Sequence, residues 1–323
     1  MSDKKGSEGR IQWSRFFKKL SPYMIQKGLL YMKHYGPKEF WIRLHERFEP
    51  EEIPYGPWYA AYVPDQTVLD KQRKKKFGFS PLISVVVPAY RTPELFLRQM
   101  IDSLIAQTYE NWELCIANGS PEDKSMKKVL EEYSRKDKRV RWQDLTENKG
   151  IAENTNAAFS MAEGEFVGLL DHDDLLAPNA LYEIASALEE HPEADVIYTD
   201  EDKVTTDLSE HFQPHLKPDF NLDLLRSNNY ICHLFVVSRK VIEKVGGLRS
   251  EFDGAQDYDF VLRCTEQTTP GQIRHIPKIL YHWRSHQDST AENPESKRYA
   301  FEAGRRAIQA HYDRLGIAAA VTE

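Results

Sequence analysis

Beyond Pro81 the chain alternates short apolar runs with stretches of helical spacing, and that alternation limits the fold more than any other feature. LISVVV (82–87), WELCIA (112–117) and FVGLL (166–170) hold almost no polar residues, so each is expected to be a strand buried on both faces. Residues 93–107, 121–135 and 151–161 carry apolar residues at helical spacing, the first with Pro93 in its opening turn. Residues 140–142 and 195–198 are expected as further strands and 178–190 as a helix. Past residue 205 the alternation loosens: 219–226, 256–266 and 296–315 are expected as helices, and 233–237, 273–276 and 279–283 as strands. Repeated βαβ units imply a parallel-rich sheet covered on both faces, with ligands bound outside the carboxyl ends of its strands. The expected class is α/β, with a main domain over residues 81–323. Residues 1–80 form an extension and linker, interrupted by Pro50, Pro54, Pro57 and Pro64 and carrying a short basic helix at 71–76.

Charge narrows the function. The net charge is -7, yet residues 1–80 hold 16 Lys+Arg against 9 Asp+Glu, leaving 27 against 41 for the rest. A body this acidic repels phosphate backbones, so nucleic-acid binding is excluded as an expectation. The basic head interleaves Trp13, Phe16, Phe17, Tyr23, Tyr31, Phe40 and Trp41 with lysines and arginines. Two readings stay open for residues 1–78: peripheral contact with an anionic membrane, or packing on the body or on a second copy. No apolar run approaches the roughly 20 residues of a membrane span, and the N-terminus lacks a secretory signal pattern, so the expected location is cytoplasmic, or at the inner face of the membrane. Cys115, Cys232 and Cys264 are widely spaced and read as buried apolar residues. No GxGxxG or GxxxxGK[ST] loop is present, which leaves Rossmann dehydrogenase and P-loop chemistry without support.

The residues most suggestive of chemistry are Asp171, His172, Asp173 and Asp174, directly after FVGLL. Carboxylates crowded at a strand end repel one another, and a hard divalent cation, Mg²⁺ or Mn²⁺, relieves the repulsion while holding a diphosphate. Helix capping is the alternative for Asp174.

Six strings occur in order: SVVVPAYR (84–91), ANGS (117–120), NKGIAENTNAA (148–158), DHDD (171–174), GAQDYDF (254–260) and LYHWRSH (280–286). Together, over about residues 81–315, they resemble the family 2 glycosyltransferases of GT-A fold, in particular bacterial enzymes of cell-surface glycan synthesis. The resemblance implies that Pro88, Ala89 and Tyr90 shape the base pocket, with Asn118 standing where the family usually has an aspartate. An Asn carbonyl can still accept an N3–H of uracil or thymine. Lys149 and Gly150 are implied to approach the nucleotide. For Asn156 a ligand contact and a structural hydrogen bond weigh equally. Asp171 is implied at the ribose with His172 beside it, and Asp173 and His282 at the metal. Arg284, His286 and Trp283 are further diphosphate or acceptor contacts. Asp257 takes the position of the catalytic base, with Gln256 replacing the family's usual Glu. The acidic string Thr199–Lys203 is expected to be a solvated loop.

The expected reaction is inverting transfer of a single sugar from a UDP- or dTDP-sugar to a glycan or lipid-linked glycan acceptor, since no QxxRW string marks a processive enzyme. A sugar nucleotidyltransferase lacks its basic activating loop here. A non-catalytic glycan-binding module is the reading from another class, motivated by Asn118 and Gln256 and opposed by Asp171, Asp173 and Asp257.

Overall fold

The structure, a computed structural model, describes residues 22–48, 54–285 and 298–322. His286 lies outside the described residues. The chain divides into two compact units, Met1–Ala61 and Tyr62–Glu323.

In the first unit α1 (Pro22–Phe48) is bent at Gly36, whose φ of 87° is followed by Pro37, and α2 (Tyr55–Tyr62) follows it. The bend folds α1 on itself: Arg43 Nε donates to Tyr31 Oη at 3.3 Å, twelve residues away. Among the described residues no helix is long and apolar enough to cross a membrane.

The second unit opens with α3 (Gln66–Lys74), capped by Asp65. Thr108 Oγ1 donates to Gln72 Oε1 (3.0 Å), and Gly78 N and Lys75 Nζ both reach Glu189, so the end of the stretch expected as linker packs on the body. There follow β1 (Ile83–Ala89), α4 (Glu94–Ile105), β2 (Trp112–Asn118), α5 (Lys124–Lys136), β3 (Val140–Asp144), α6 (Ile151–Met161), β4 (Phe166–Leu169), β5 (Leu175–Leu176), α7 (Ala180–Glu190) and β6 (Val196–Thr205). The chain continues with β7 (His211–His215), α8 (Leu222–Leu225), β8 (Phe235–Ser238), α9 (Arg239–Val245), α10 (Gln256–Glu266), β9 (Ile273–Ser285) and α11 (Arg298–Arg314).

The strands form one mixed sheet in the order β3-β2-β1-β4-β8-β6-β9-β5, with β7 paired to β6. Pairing is parallel from β3 to β4 and between β6 and β9, whereas β8 runs antiparallel to both β4 and β6. Strand alternation distributes the core. Ile83, Val85 and Val87 pack beneath α4, α5 and α7, while Val86, Cys115 and Val167 face α6. A further cluster joins Val237 and Tyr198 to α9, α10 and α11.

Three expectations change. Thr199–Lys203 is no solvated loop: it lies in β6, paired along its length with β9, and Asp200, Glu201 and Asp202 are buried. Their charge is met by groups far away in sequence, Lys217, His215, His211, His275 and His282, so no local signal reveals it. The two short strands expected at 273–283 are one strand, β9, with register shifts opposite Thr199–Glu201. The helix expected at 219–226 shrinks to the single turn of α8, capped by Asn221.

Candidate active site

The ends of β1 and β2 are laced together. Gly119 N donates to Ala89 O (2.8 Å) and Arg91 N to Ser120 Oγ (2.9 Å). Ala89 is buried, Pro88 and Tyr90 half-buried, and the Arg91 guanidinium lies 5.1 Å from the Tyr90 ring centroid. Asn118 is fully buried: its Oδ1 accepts from Ser120 N (3.0 Å) and its Nδ2 donates to Asp144 Oδ1 (2.8 Å). Asp144, missed in the sequence, pairs with Asn118 across the β2–β3 ladder and is held by Lys127 at 2.8 Å. A carboxylate is therefore present beside the position where the family motif carries one.

The loop before α6 is shaped by Asn148, whose Oδ1 accepts from Gly150 N (3.1 Å) and Asn154 Nδ2 (2.8 Å). Lys149 is exposed there. Gly150 has φ 95° and ψ 171°, a region reserved for glycine, and a Cβ would stand 2.8 Å from Asp253 Oδ2. Gly150→Ala is expected to cost about 2 kcal/mol, read as a lowered urea midpoint. Asn156 takes the structural alternative: its side chain donates to Leu248 O (2.9 Å) and accepts from Leu248 N (2.8 Å).

β4 delivers the acidic turn. Asp174 is fully buried and accepts from Tyr281 Oη (2.5 Å) and Arg284 N (2.8 Å). Burial, followed by the charges of Asp173 and Asp171, holds its carboxyl well above the usual range. Arg284, expected as a fork for pyrophosphate, is wholly buried. Its Nε donates to Asp173 O (2.6 Å), its Nη1 to Thr206 O (3.0 Å), and its guanidinium lies over Phe96, so it fixes the backbone of the turn. His172 Nδ1 is 3.9 Å from Asp173 Oδ1. His282 Nδ1 sits 2.6 Å from Asp202 Oδ1, in a group with His211 that includes neither Asp171 nor Asp173.

A histidine that the sequence reading passed over holds the centre. His233 Nε2 lies 3.9 Å from Asp171 Oδ2, and the ring stacks on Tyr281 at 4.6 Å and meets Trp283 edge-on at 6.0 Å. Its loop is anchored from below: Lys217 Nζ, wholly buried, donates to Ile231 O (2.7 Å) and to His233 O, and pairs with Glu201 Oε2 (3.4 Å), which also accepts from His233 N (3.1 Å). Burial alone would lower the imidazole, yet the adjoining Cys232, then Asp171 and Glu201, hold it well above its ordinary value. Asp257 begins α10, half-buried, and accepts from Asn229 Nδ2 at 2.9 Å. Burial raises its carboxyl; His233 opposes the shift and Asp171 adds to it. Gln256 caps its own loop, its Oε1 accepting from Gly254 N (2.8 Å). Beside Glu201 a recess of about 240 Å³ is lined by Asp202, Lys203, Gln213, His215 and Trp283.

Residues 84–246 match glycosyl transferase family 2, and the chain belongs to that family. Its fold is that of the GT-A glycosyltransferases. An uncharacterized protein of Sinorhizobium fredii, y4gI, is 45% identical over 234 residues, covering 72% of this chain and 26% of that one. The O-antigen biosynthesis protein RfbC of Myxococcus xanthus is 36% identical over 273 residues, covering 84% and 21% respectively. The chain thus spans only about a quarter and a fifth of the length of these two relatives. Among solved structures, residues 1–349 of S. aureus TarS with UDP-GlcNAc superpose with a TM-score of 0.57 at 20% identity, covering 71% of this chain and 66% of that one, a likeness of fold.

Proposed function

We propose that the chain transfers one sugar from a UDP-sugar, with dTDP as the second choice, to a glycan hydroxyl with inversion, in the assembly of a bacterial surface polysaccharide. The observation that supports this is the approach of His233 to Asp171, at the end of β4, at 3.9 Å, with both groups also acting electrostatically on Asp257 at the start of α10. The residues assigned to donor and base are thus electrostatically linked although 86 positions separate them. The name of the Myxococcus relative supports the polysaccharide. On the donor side, Asp144 next to Asn118 supplies the acceptor for the N3–H of the base.

The acidic turn fits a hard divalent cation. Burial, with the charges of Asp173 and Asp171, already pushes Asp174 upward, and the Nε and Nη1 of Arg284 donate to carbonyl oxygens. Asp173 would hold Mg²⁺ or Mn²⁺, and the ion when bound would supply positive charge to offset that of the departing nucleoside diphosphate. Asp257, oriented by Asn229, takes the proton of the acceptor hydroxyl as it attacks the anomeric carbon. The acceptor approaches through the recess at Glu201, Lys203, His215 and Trp283, one layer from His233.

The test is nucleotide release from a panel of UDP-, dTDP- and GDP-sugars, with and without Mn²⁺, for the native chain and Asp173→Ala. Metal-dependent release from one donor, lost in the variant, is expected. No binding or release with any donor would move the chain to the non-catalytic class.

A further inference from the structure

We propose that Asp202, His211 and His282 form a site for a divalent cation of zinc type, separate from the DHDD turn. They come from three adjacent strands. Asp202 pairs directly with His282 across β6 and β9, and His211 pairs with Val204, two residues along β6 from Asp202. Residues two apart on a strand share a face, so His211 reaches Asp202 along the diagonal.

The contacts bear out that placement. Asp202 Oδ1 lies 2.6 Å from His282 Nδ1 and Oδ2 lies 2.9 Å from His211 Nδ1, and the two imidazole centroids are 4.8 Å apart at 79°. The three sets of donor atoms all fall within 4.8 Å of one another. Ligands at about 2.0–2.2 Å from a tetrahedral zinc stand roughly 3.4 Å apart, so side-chain movements below about 1 Å close the set.

Two imidazole nitrogens with one carboxylate oxygen suit zinc, whereas the three carboxylates of the DHDD turn suit a harder ion. The Asp202 side chain is wholly inaccessible and that of His282 8% exposed, while His211 keeps 24%, so solvent reaches the group from the β7 side. A cation here would also pin β7. No residue of that strand is buried, and beyond its ladder to β6 it is tied to the sheet through His211, Gln213 and His215.

The experiment is titration of the chelator-treated full chain with Zn²⁺ against a chromophoric chelator, with Co²⁺ absorption recorded in parallel. The native chain and Asp173→Ala are each expected to bind one zinc at this site, with intense four-coordinate Co²⁺ bands. Asp202→Asn and His211→Gln are expected to bind at least about 100-fold more weakly. Asp202→Asn preserves shape, and His211 is partly exposed, so circular dichroism should show both variants folded. Unchanged zinc affinity in both variants, loss of the site in Asp173→Ala, or no zinc held at micromolar concentration by the native chain overturns the proposal. None of these readouts depends on sugar transfer.

Discussion

Asp257→Asn is expected to lower kcat for sugar transfer by about 10²–10⁴-fold while leaving the affinity for the nucleotide-sugar within a factor of a few. The substitution keeps the shape of the side chain, and its carbonyl can still accept from Asn229 Nδ2, so α10 starts as before. What disappears is the capacity to take a proton. The pH profile carries a second, independent mark. Burial raises the Asp257 carboxyl above its ordinary value of 3.8, and Asp171 adds to the shift against the pull of His233. A base works only when ionised, so kcat/KM of the native chain should fall as pH drops through that raised value. The acid limb should therefore lie above the usual aspartate range. Steady-state transfer rates across pH, with donor binding measured separately by calorimetry, check both statements. A variant that retains full turnover removes Asp257 from the role of base.

Lys217→Met is expected to cost about 3–5 kcal/mol, because it leaves the buried Glu201 carboxylate without its ammonium partner. It also releases the carbonyls of Ile231 and His233, the backbone that carries the imidazole to Asp171. Urea unfolding followed by fluorescence measures the loss. The double variant Lys217→Met/Glu201→Gln should recover roughly half of it, since a neutral glutamine still accepts from His233 N while the uncompensated charge is gone. Recovery of stability without recovery of turnover would separate the fold from the placement of His233.

The half of the sheet from β1 to β4 was legible in the sequence because its logic is local. LISVVV, WELCIA and FVGLL are buried on both faces and separated by helices that carry their own apolar stripe, so periodicity alone identifies β1, β2 and β4. The position of the DHDD turn followed from the same pattern. Beyond residue 195 the determinants become non-local. β6 is a strand although it reads VIYTDEDKVT, because each acidic side chain finds a cation or an imidazole on β7, on β9 or at Lys217. Hydropathy registers those residues one at a time and sees a loop. Asp144 escaped for a related reason: its proximity to Asn118 exists only once β3 is laid beside β2. His233 sits in NNYICHLF, where nothing in the composition sets a functional histidine apart from a packed one. Arg284 shows the opposite failure, a residue of the right type near the right motif that is buried with its Nε and Nη1 on backbone carbonyls.

The strand order also dictates a timetable. β8 lies between β4 and β6, yet it is made after both, so β4 cannot be joined to β6 until Phe235–Ser238 has left the ribosome. Until then the nascent chain carries β4 as an open edge, fully apolar and ready to pair with another chain. Parallel β1–β4 pairing can form early, whereas the antiparallel wedge of β8 closes the sheet late and brings β6, with its buried charges, into register. Substitutions that slow or weaken β8 should therefore show first as lost yield of soluble chain during synthesis, with the rate constants of the molecules that do mature left intact.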